Sequence, residues 1–251
     1  MIFVKEDTLL DIVMAMKDDV GIVTQMPFLC DRPGFAVTLQ KVFFGTMHAR
    51  IYLGADALGV VCSTGMSSML RKSILEELGG MKAFGPYIAE DYFFGHAIAS
   101  KGWKCAISSQ PAWQNHGSNS VARFHDRLAR WAKLRIAMLP HMLLLEPIQE
   151  CIVVGLMASW ASTILTPMVS PCLFSGSSSS LMLLDYLLLS TVQNAPLPFS
   201  KFEFVATWLF RELSALPLFL WAMSDQTITW RAGKKYRLRW GGVAVEVKPK
   251  R

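Results

Sequence analysis

Cysteine chemistry is almost missing from this chain. Its five cysteines, Cys30, Cys62, Cys105, Cys151 and Cys172, are odd in number and widely spaced, and none stand at metal-ligand spacing. That argues against a disulfide framework and suits a reducing compartment. Paired acids are scarce as well. The ten aspartates contain no Asp-x-Asp, and the one adjacent pair, Asp18-Asp19, falls near the end of an expected helix. The first 19 residues lack the long apolar run of a secretory signal, because Lys5, Glu6, Asp7, Asp11, Lys17, Asp18 and Asp19 interrupt them. No nucleic-acid module is legible, although the net charge is +6. The basic excess points instead to phosphates and anionic head groups.

What the chain has in plenty is apolar sequence. Apolar residues make up 52% of its 251 residues, and the mean hydropathy is +0.33. That is high for ordinary soluble composition, and the excess sits in the second half. The length suffices for a modest domain plus a membrane part. Residues 1–140 read as mixed α/β, with helices expected over 8–16, 37–44 (turning at Gly45), 72–78 and 91–100 and strands over 21–24, 58–63 and 103–108. Residues 118–138 give the best amphipathic helix. Phe124, Leu128, Trp131, Leu134 and Met138 form one stripe, and Arg123, Arg127, Arg130 and Lys133 the next. A basic stripe beside an apolar one suits a helix lying at a membrane surface.

Residues 141–224 read as membrane helices. The run 152–169 is 18 residues without charge, near the lower limit for a span. Residues 171–180, rich in Gly and Ser, read as a loop, and 181–192 as a short apolar segment containing Asp185. Residues 204–223 are long enough to span but contain Arg211, Glu212 and Pro217. An intramembrane charge pair is costly and therefore informative. It either neutralises itself or faces other helices. Basic residues at both ends favour an even number of crossings, while hydropathy suggests three segments. Residues 225–251 form a basic tail, with eight Lys/Arg against two acids.

Two motifs carry chemistry. Ile88-Ala-Glu-Asp-Tyr-Phe93 sets Glu90 and Asp91 beside aromatics, and 36 residues after Asp91 begins Arg127-Leu-Ala-Arg130-Trp131. Helical spacing puts the two arginines and the tryptophan on one face. A carboxylate that takes a proton and guanidinium forks that hold phosphates are the parts needed to move a group off a phosphate-bearing donor. The plainer reading makes Glu90 and Asp91 first-turn acids favoured by the helix dipole, the arginines head-group contacts, and Trp131 an interfacial anchor. Thr64-Gly65-Met66-Ser67 is either a tight loop able to approach a sugar closely or an ordinary turn. Cys62 beside it reads as a buried hydrophobe without a nucleophilic role, close enough to the site for a thiol reagent to block it. His48 is a candidate contact to acceptor or diphosphate, ahead of His96, His116, His125 and His141.

These residues resemble the ceramide glucosyltransferase family. The resemblance runs nearly the whole length. It rests on Asp31-Arg-Pro-Gly-Phe-Ala36, Phe44-Gly-Thr46, Thr64-Gly-Met-Ser67, the 88–93 motif, Arg127-x-x-Arg130-Trp131, Thr227-Ile-Thr-Trp-Arg231 and Tyr236-Arg-Leu-Arg239. It implies the acceptor-side, C-terminal half of a GT-A glycosyltransferase domain followed by an α-helical membrane region. It also implies inverting transfer of glucose from UDP-glucose to the primary hydroxyl of ceramide, with a divalent metal, Mg²⁺ or Mn²⁺, in a multi-pass Golgi membrane protein whose catalytic domain faces the cytosol. In the family, the position of Asp91 is the catalytic base, and the Arg127–Trp131 motif helps hold the donor diphosphate. Cys62, Gly65, Ser67, Glu90 and His48 would line the site. The nucleotide-binding half and its two further aspartates have no counterpart here, so an N-terminally truncated member is expected, retaining no metal ligands. Membrane lipids are expected partners, and self-association stays open. Two alternatives remain: a processive polysaccharide synthase, disfavoured by few spans and by Arg rather than Gln at 127, and a catalytically silent membrane subunit partnering a full-length enzyme.

Overall fold

A computed structural model describes residues 2–115, 120–165, 170–230 and 233–247, with backbone alone at 165, 170–175 and 177. The first part is mixed α/β. In chain order it comprises β1 (Ile2–Phe3), α1 (Thr8–Ala15), β2 (Val20–Thr24), β3 (Pro27–Leu29), α2 (Phe35–Phe43), α3 (Ala49–Ala57), β4 (Ser68–Leu70), α4 (Lys72–Glu77), α5 (Glu90–Ser100), β5 (Lys104–Ile107), β6 (Ala112–Gln114) and α6 (Val121–Met138). The β2 sequence Val-Gly-Ile-Val-Thr is buried at every position, as a largely β-branched strand covered on both faces must be. It is the centre of the sheet β4-β2-β5, antiparallel to β4 and parallel to β5. Its Gly21 admits α5: a Cβ there would lie 2.5 Å from Ile98 Cγ2. A second small sheet has the order β1-β6-β3.

Several expectations need correction. Residues 58–63 are not a strand. Helix α3 runs to Ala57, and Leu58 is 80% exposed. Both edges of β2 are already taken, by β4 and by β5, so no partner remains for a strand there. Helix α2 does not turn at Gly45 but passes through a π-type turn, Phe44–His48, into α3. Glycine at 45 serves close packing, because a Cβ would meet Leu189 Cδ1 at 2.2 Å. The 118–138 helix begins at Val121, with the Ser120 hydroxyl accepting from the Arg123 N–H; residues 118 and 119 lie outside the described residues, as does His116.

Next come α7 (Met142–Ile148), α8 (Cys151–Leu165), α9 (Ser170–Gln193) and α10 (Lys201–Ser224). The expected loop 171–180 lies inside α9. The helix cost of Gly and Ser is under about 1 kcal/mol per residue, and α9 packs along α8, so tertiary contact outweighs propensity. Helix α10 is long and apolar enough to cross a membrane; Met142–Ile148 with Cys151–Ile164, bent by 84°, is a second candidate if counted as one span. The end of the expected 152–169 run, residues 166–169, lies outside the described residues. The α10 charges face inward. Arg211 pairs with Glu212 and with Asp185, whose Oδ2 also accepts from Trp208 Nε1 at 2.8 Å. Both readings of that pair therefore hold: it neutralises itself and it faces α9.

Residues after α10 form a three-stranded antiparallel sheet of β7 (Thr227–Thr229), β8 (Lys235–Leu238) and β9 (Ala244–Glu246). It folds back and buries Ile228 and Leu238 against Leu134 and Ala137 of α6.

Candidate active site

Asp91 occupies the first turn of α5. Its Oδ2 accepts from the Gly65 N–H at 2.7 Å and its Oδ1 from the Tyr92 N–H at 2.8 Å. The Ser63 hydroxyl donates to the Asp91 carbonyl at 2.5 Å. The loop 61–65 can lie this close because residue 95 is glycine. A Cβ at Gly95 would stand 2.7 Å from both Ser63 Oγ and Val61 Cγ1. The carboxylate is thereby fixed by backbone donors at the wall of a pocket of about 410 Å³, an ordinary size for a ligand site (roughly 300–1,000 Å³).

The same pocket brings together Asp91, Glu90, Gly65, Cys62, His48, Arg130 and Trp131 among the expected residues. Arg127 and Ser67 do not line it. Arg127 turns inward, stacked on Phe44 and Trp131 at 5.0 and 4.6 Å with Nη2 donating to Gln114 Oε1 at 3.0 Å. Burial, then the neighbouring Arg130, lowers its pKa to about 10. Its place is in an aromatic support behind the wall. Ser67 ties the loop to Gln25, just after β2, its hydroxyl donating to Gln25 Oε1 at 2.6 Å.

His48 sits in an aromatic nest, stacked on Tyr52 at 4.7 Å between centroids, and is buried enough for its pKa to fall to about 3. Burial is the main cause, with Arg135 and Arg127 adding to it. His48 is therefore neutral at working pH and offers no positive charge to a diphosphate. Burial also pushes the Cys62 thiol up to about 12, which makes it a poor target for a thiol reagent.

Two residues were not singled out for the site. Trp230, from the segment after β7, lies 5.1 Å from the Arg130 guanidinium and lines the pocket. Arg135, one turn beyond Trp131, lines it too. Trp230 stood inside one of the quoted motifs, but nothing local linked it to residue 130. Among the described residues Arg130 has no carboxylate within salt-bridge distance, though Asp126, one turn earlier, lies close enough to act on its charge.

Around Asp91 the only other carboxylate lining the pocket among the described residues is Glu90, and both Asp91 oxygens accept from backbone N–H groups. The described residues build no preformed cradle for a divalent metal here. Elsewhere, ligand atoms of Cys151, Asp185 and Glu212 lie within 4.8 Å of one another. Arg211 and Arg50 pair with those acids, so the cluster is an internal ion-pair network.

A carboxylate and arginines that line one ligand-sized pocket fit group transfer from an anionic leaving group. The sequence comparison agrees: the model of "Glycosyl transferase family 21" matches residues 1–244. The chain belongs to this family. It is 44% identical to Ceramide glucosyltransferase 1 of Caenorhabditis elegans over 243 residues, 96% of this chain and 52% of that protein. With Ceramide glucosyltransferase 3 of the same organism the identity is 45% over 244 residues, covering 96% and 53%. A Ceramide glucosyltransferase of Candida albicans is 25% identical over 258 residues, covering 80% of this chain and 47% of its own length. The family 21 chain thus spans about half the length of the curated relatives it matches.

Proposed function

We propose that this chain carries the catalytic-base and acceptor side of a GT-A glucosyltransferase that moves glucose from UDP-glucose to the primary hydroxyl of ceramide with inversion. The reading is supported by the family membership and by one observation above all. Asp91 is held by the Gly65 and Tyr92 N–H groups at the wall of the pocket that Arg130 and Trp131 also line.

In this reading the lipid oxygen attacks the anomeric carbon from the face opposite the diphosphate. The new C–O bond forms as the bond to the phosphate oxygen breaks, UDP leaves with the electron pair, and the hydroxyl proton goes to Asp91. Base help of this kind is worth about 10²–10⁴ in rate. Arg130 faces the leaving anion, where preorganised charge contributes most, and Trp131 packs on the sugar or acceptor. The family's divalent cation finds no built site among the described residues, so no step is routed through it. In this reading the pocket works near a membrane surface, supported by the apolar composition of α10, with the Golgi membrane and a cytosolic catalytic face as the expected setting.

The test is Asp91→Asn in a chain extended to the length of the relatives. Turnover should fall at least about 10²-fold with UDP affinity little changed. Near-normal turnover removes Asp91 from the mechanism.

A further inference from the structure

The guanidinium of Arg130 stands 5.1 Å from the centroid of the Trp230 ring, and both side chains line the Asp91 pocket. The kind of partner matters. An arginine at a pocket wall has several rotatable bonds, and its head must be held where an anion arrives. A paired carboxylate would hold it but would compete with the anion for its charge and its N–H fork. An aromatic face attracts the cation through the ring quadrupole and leaves the fork free. Arg130 has the aromatic face and, among the described residues, no carboxylate within salt-bridge distance.

Trp230 is not there to fill a core. It is 37% exposed and takes no part in the apolar cluster that its own sheet forms with α6. Its backbone is fixed at the end of the β7–β8 pair, where its N–H donates to the Lys234 carbonyl at 2.8 Å. The sheet itself rests on both walls of the pocket. Ile228 and Leu238 pack with Leu134 and Ala137 of α6, the helix of Arg130, and Ile88 of the Asp91 motif joins that cluster. Val243 forms an antiparallel bridge with Tyr87, whose ring stacks on Phe93 of α5 at 3.8 Å. Glycine at 242 permits the approach, because a Cβ there would lie 2.7 Å from Met138 Cγ and 3.1 Å from Phe93 Cε2. One sheet therefore touches the helix that carries the cation and the segment that carries the base.

We propose that Trp230 is a positioning residue for the transfer reaction: its ring holds the Arg130 guanidinium toward the pocket, which makes the sheet β7-β8-β9 a working part of the active site. The inference rests on the reading of Arg130 as the group that faces the leaving diphosphate. It adds what aims that charge. Trp230 acts through Arg130 and not by touching the substrate.

The test is a double-mutant cycle, read by calorimetric titration of the 251-residue chain in detergent with inorganic pyrophosphate at low salt, where a contact of charge is strongest. Trp230→Leu keeps apolar bulk without a ring face. It should weaken binding about three- to tenfold, the range for a partly desolvated cation–π contact, and Trp230→Phe should restore most of that loss. Arg130→Ala should weaken binding further, and in that background Trp230→Leu should add nothing. Damage to the fold would appear in both backgrounds, so the cycle separates it from aiming. An undiminished effect of Trp230→Leu in the Arg130→Ala background overturns the proposal, as does an equal loss with Phe and Leu. So does a lack of pyrophosphate binding by the unmutated chain, because Arg130 would then not be presented to an anion. In the chain extended to the length of the relatives, Trp230→Leu should lower kcat by a similar factor with the KM for ceramide little changed; an unchanged kcat overturns the proposal. Pyrophosphate binding needs no turnover, so the two readings fail separately. A cycle that holds in a chain whose extended form transfers no glucose sinks the transferase reading alone. Glucose transfer with additive losses in the cycle sinks the role of Trp230 alone.

Discussion

Glycine at 95 decides how well Asp91 is aimed. The Gly65 N–H reaches the carboxylate only because loop 61–65 rests on α5 at a position without a Cβ. Gly95→Ala would put that atom 2.7 Å from Ser63 Oγ and Val61 Cγ1, so the loop must shift. Overpacking of this kind costs about 1–3 kcal/mol, which denaturant unfolding would read, and turnover of the extended chain should fall with it. An unchanged midpoint and unchanged turnover would show the loop free to yield. Cys62 gives a second prediction. With its thiol pushed up to about 12 by burial, the thiolate is the minor form throughout the neutral range and grows about tenfold per pH unit. Alkylation by iodoacetamide should be negligible near pH 7.5 and climb steadily to about pH 11; a plateau near pH 8.5 would mean an exposed thiol. The acidic pair of residues 90 and 91 was legible in the sequence because a short motif fixes it at a helix start. The division of labour among Arg127, Arg130 and Arg135 was not. All three lie on one helix, and which of them faces the pocket depends on Phe44, Gln114 and Trp230, partners distant in sequence.

At the scale of elements, the C-terminal strands matter more than a basic tail suggests. Ile228 and Leu238 are 4% and 8% exposed and bury Leu134 and Ala137 of α6. The Gly241 N–H donates to the Ala137 carbonyl at 2.8 Å, and Trp230 caps Arg130. Ile228→Ala should therefore destabilise the fold by about 2–5 kcal/mol, measured by chemical unfolding in detergent, whereas the exposed Val245→Ala should cost little. A loss below about 1 kcal/mol at Ile228 would mean that the sheet is only loosely docked. These strands escaped sequence reading because runs of three or four residues such as Lys-Tyr-Arg-Leu are too short to show a period and are dominated by charge. Helix α6 was legible because five turns of amphipathic pattern leave little choice. The π-type turn at Phe44–His48 was not, since the segment packs closely on Leu189 at Gly45, a partner distant in sequence.

On the scale of the whole molecule, two of the exposed apolar surfaces among the described residues have different meanings. One lies on the later helices, where Leu156, Trp160 and Ile164 of α8 and Leu213, Leu220 and Trp221 of α10 face outward. That surface suits a bilayer, and the chain should stay with membranes through alkaline carbonate extraction; release into the supernatant would count against integral insertion. The other place is α1. Its apolar period reads as a helix in the sequence, and of its residues Thr8 and Ile12 alone are buried, while Leu9, Leu10, Val13 and Met14 are 65%, 62%, 51% and 72% exposed. The spacing i, i+1, i+4, i+5 puts those four on one side of the helix, within the α/β part. Water is a poor cover for such a stripe, and β1, just before it in the chain, is an open edge of its sheet, which invites pairing. The 251-residue chain should therefore self-associate in detergent through this face. Leu10→Lys with Met14→Lys should shift the chain toward the monomer in analytical ultracentrifugation, without lowering its unfolding midpoint, because neither side chain is packed. Alone, the chain should bind UDP-glucose weakly in calorimetry, since Arg130 supplies charge for a diphosphate but the described residues around Asp91 build no preformed metal cradle, and a contact of charge alone weakens with salt. Tight, metal-dependent and uridine-specific binding by the unextended chain would mean that the donor site lies wholly within these residues and that the α1 stripe covers nothing the reaction needs.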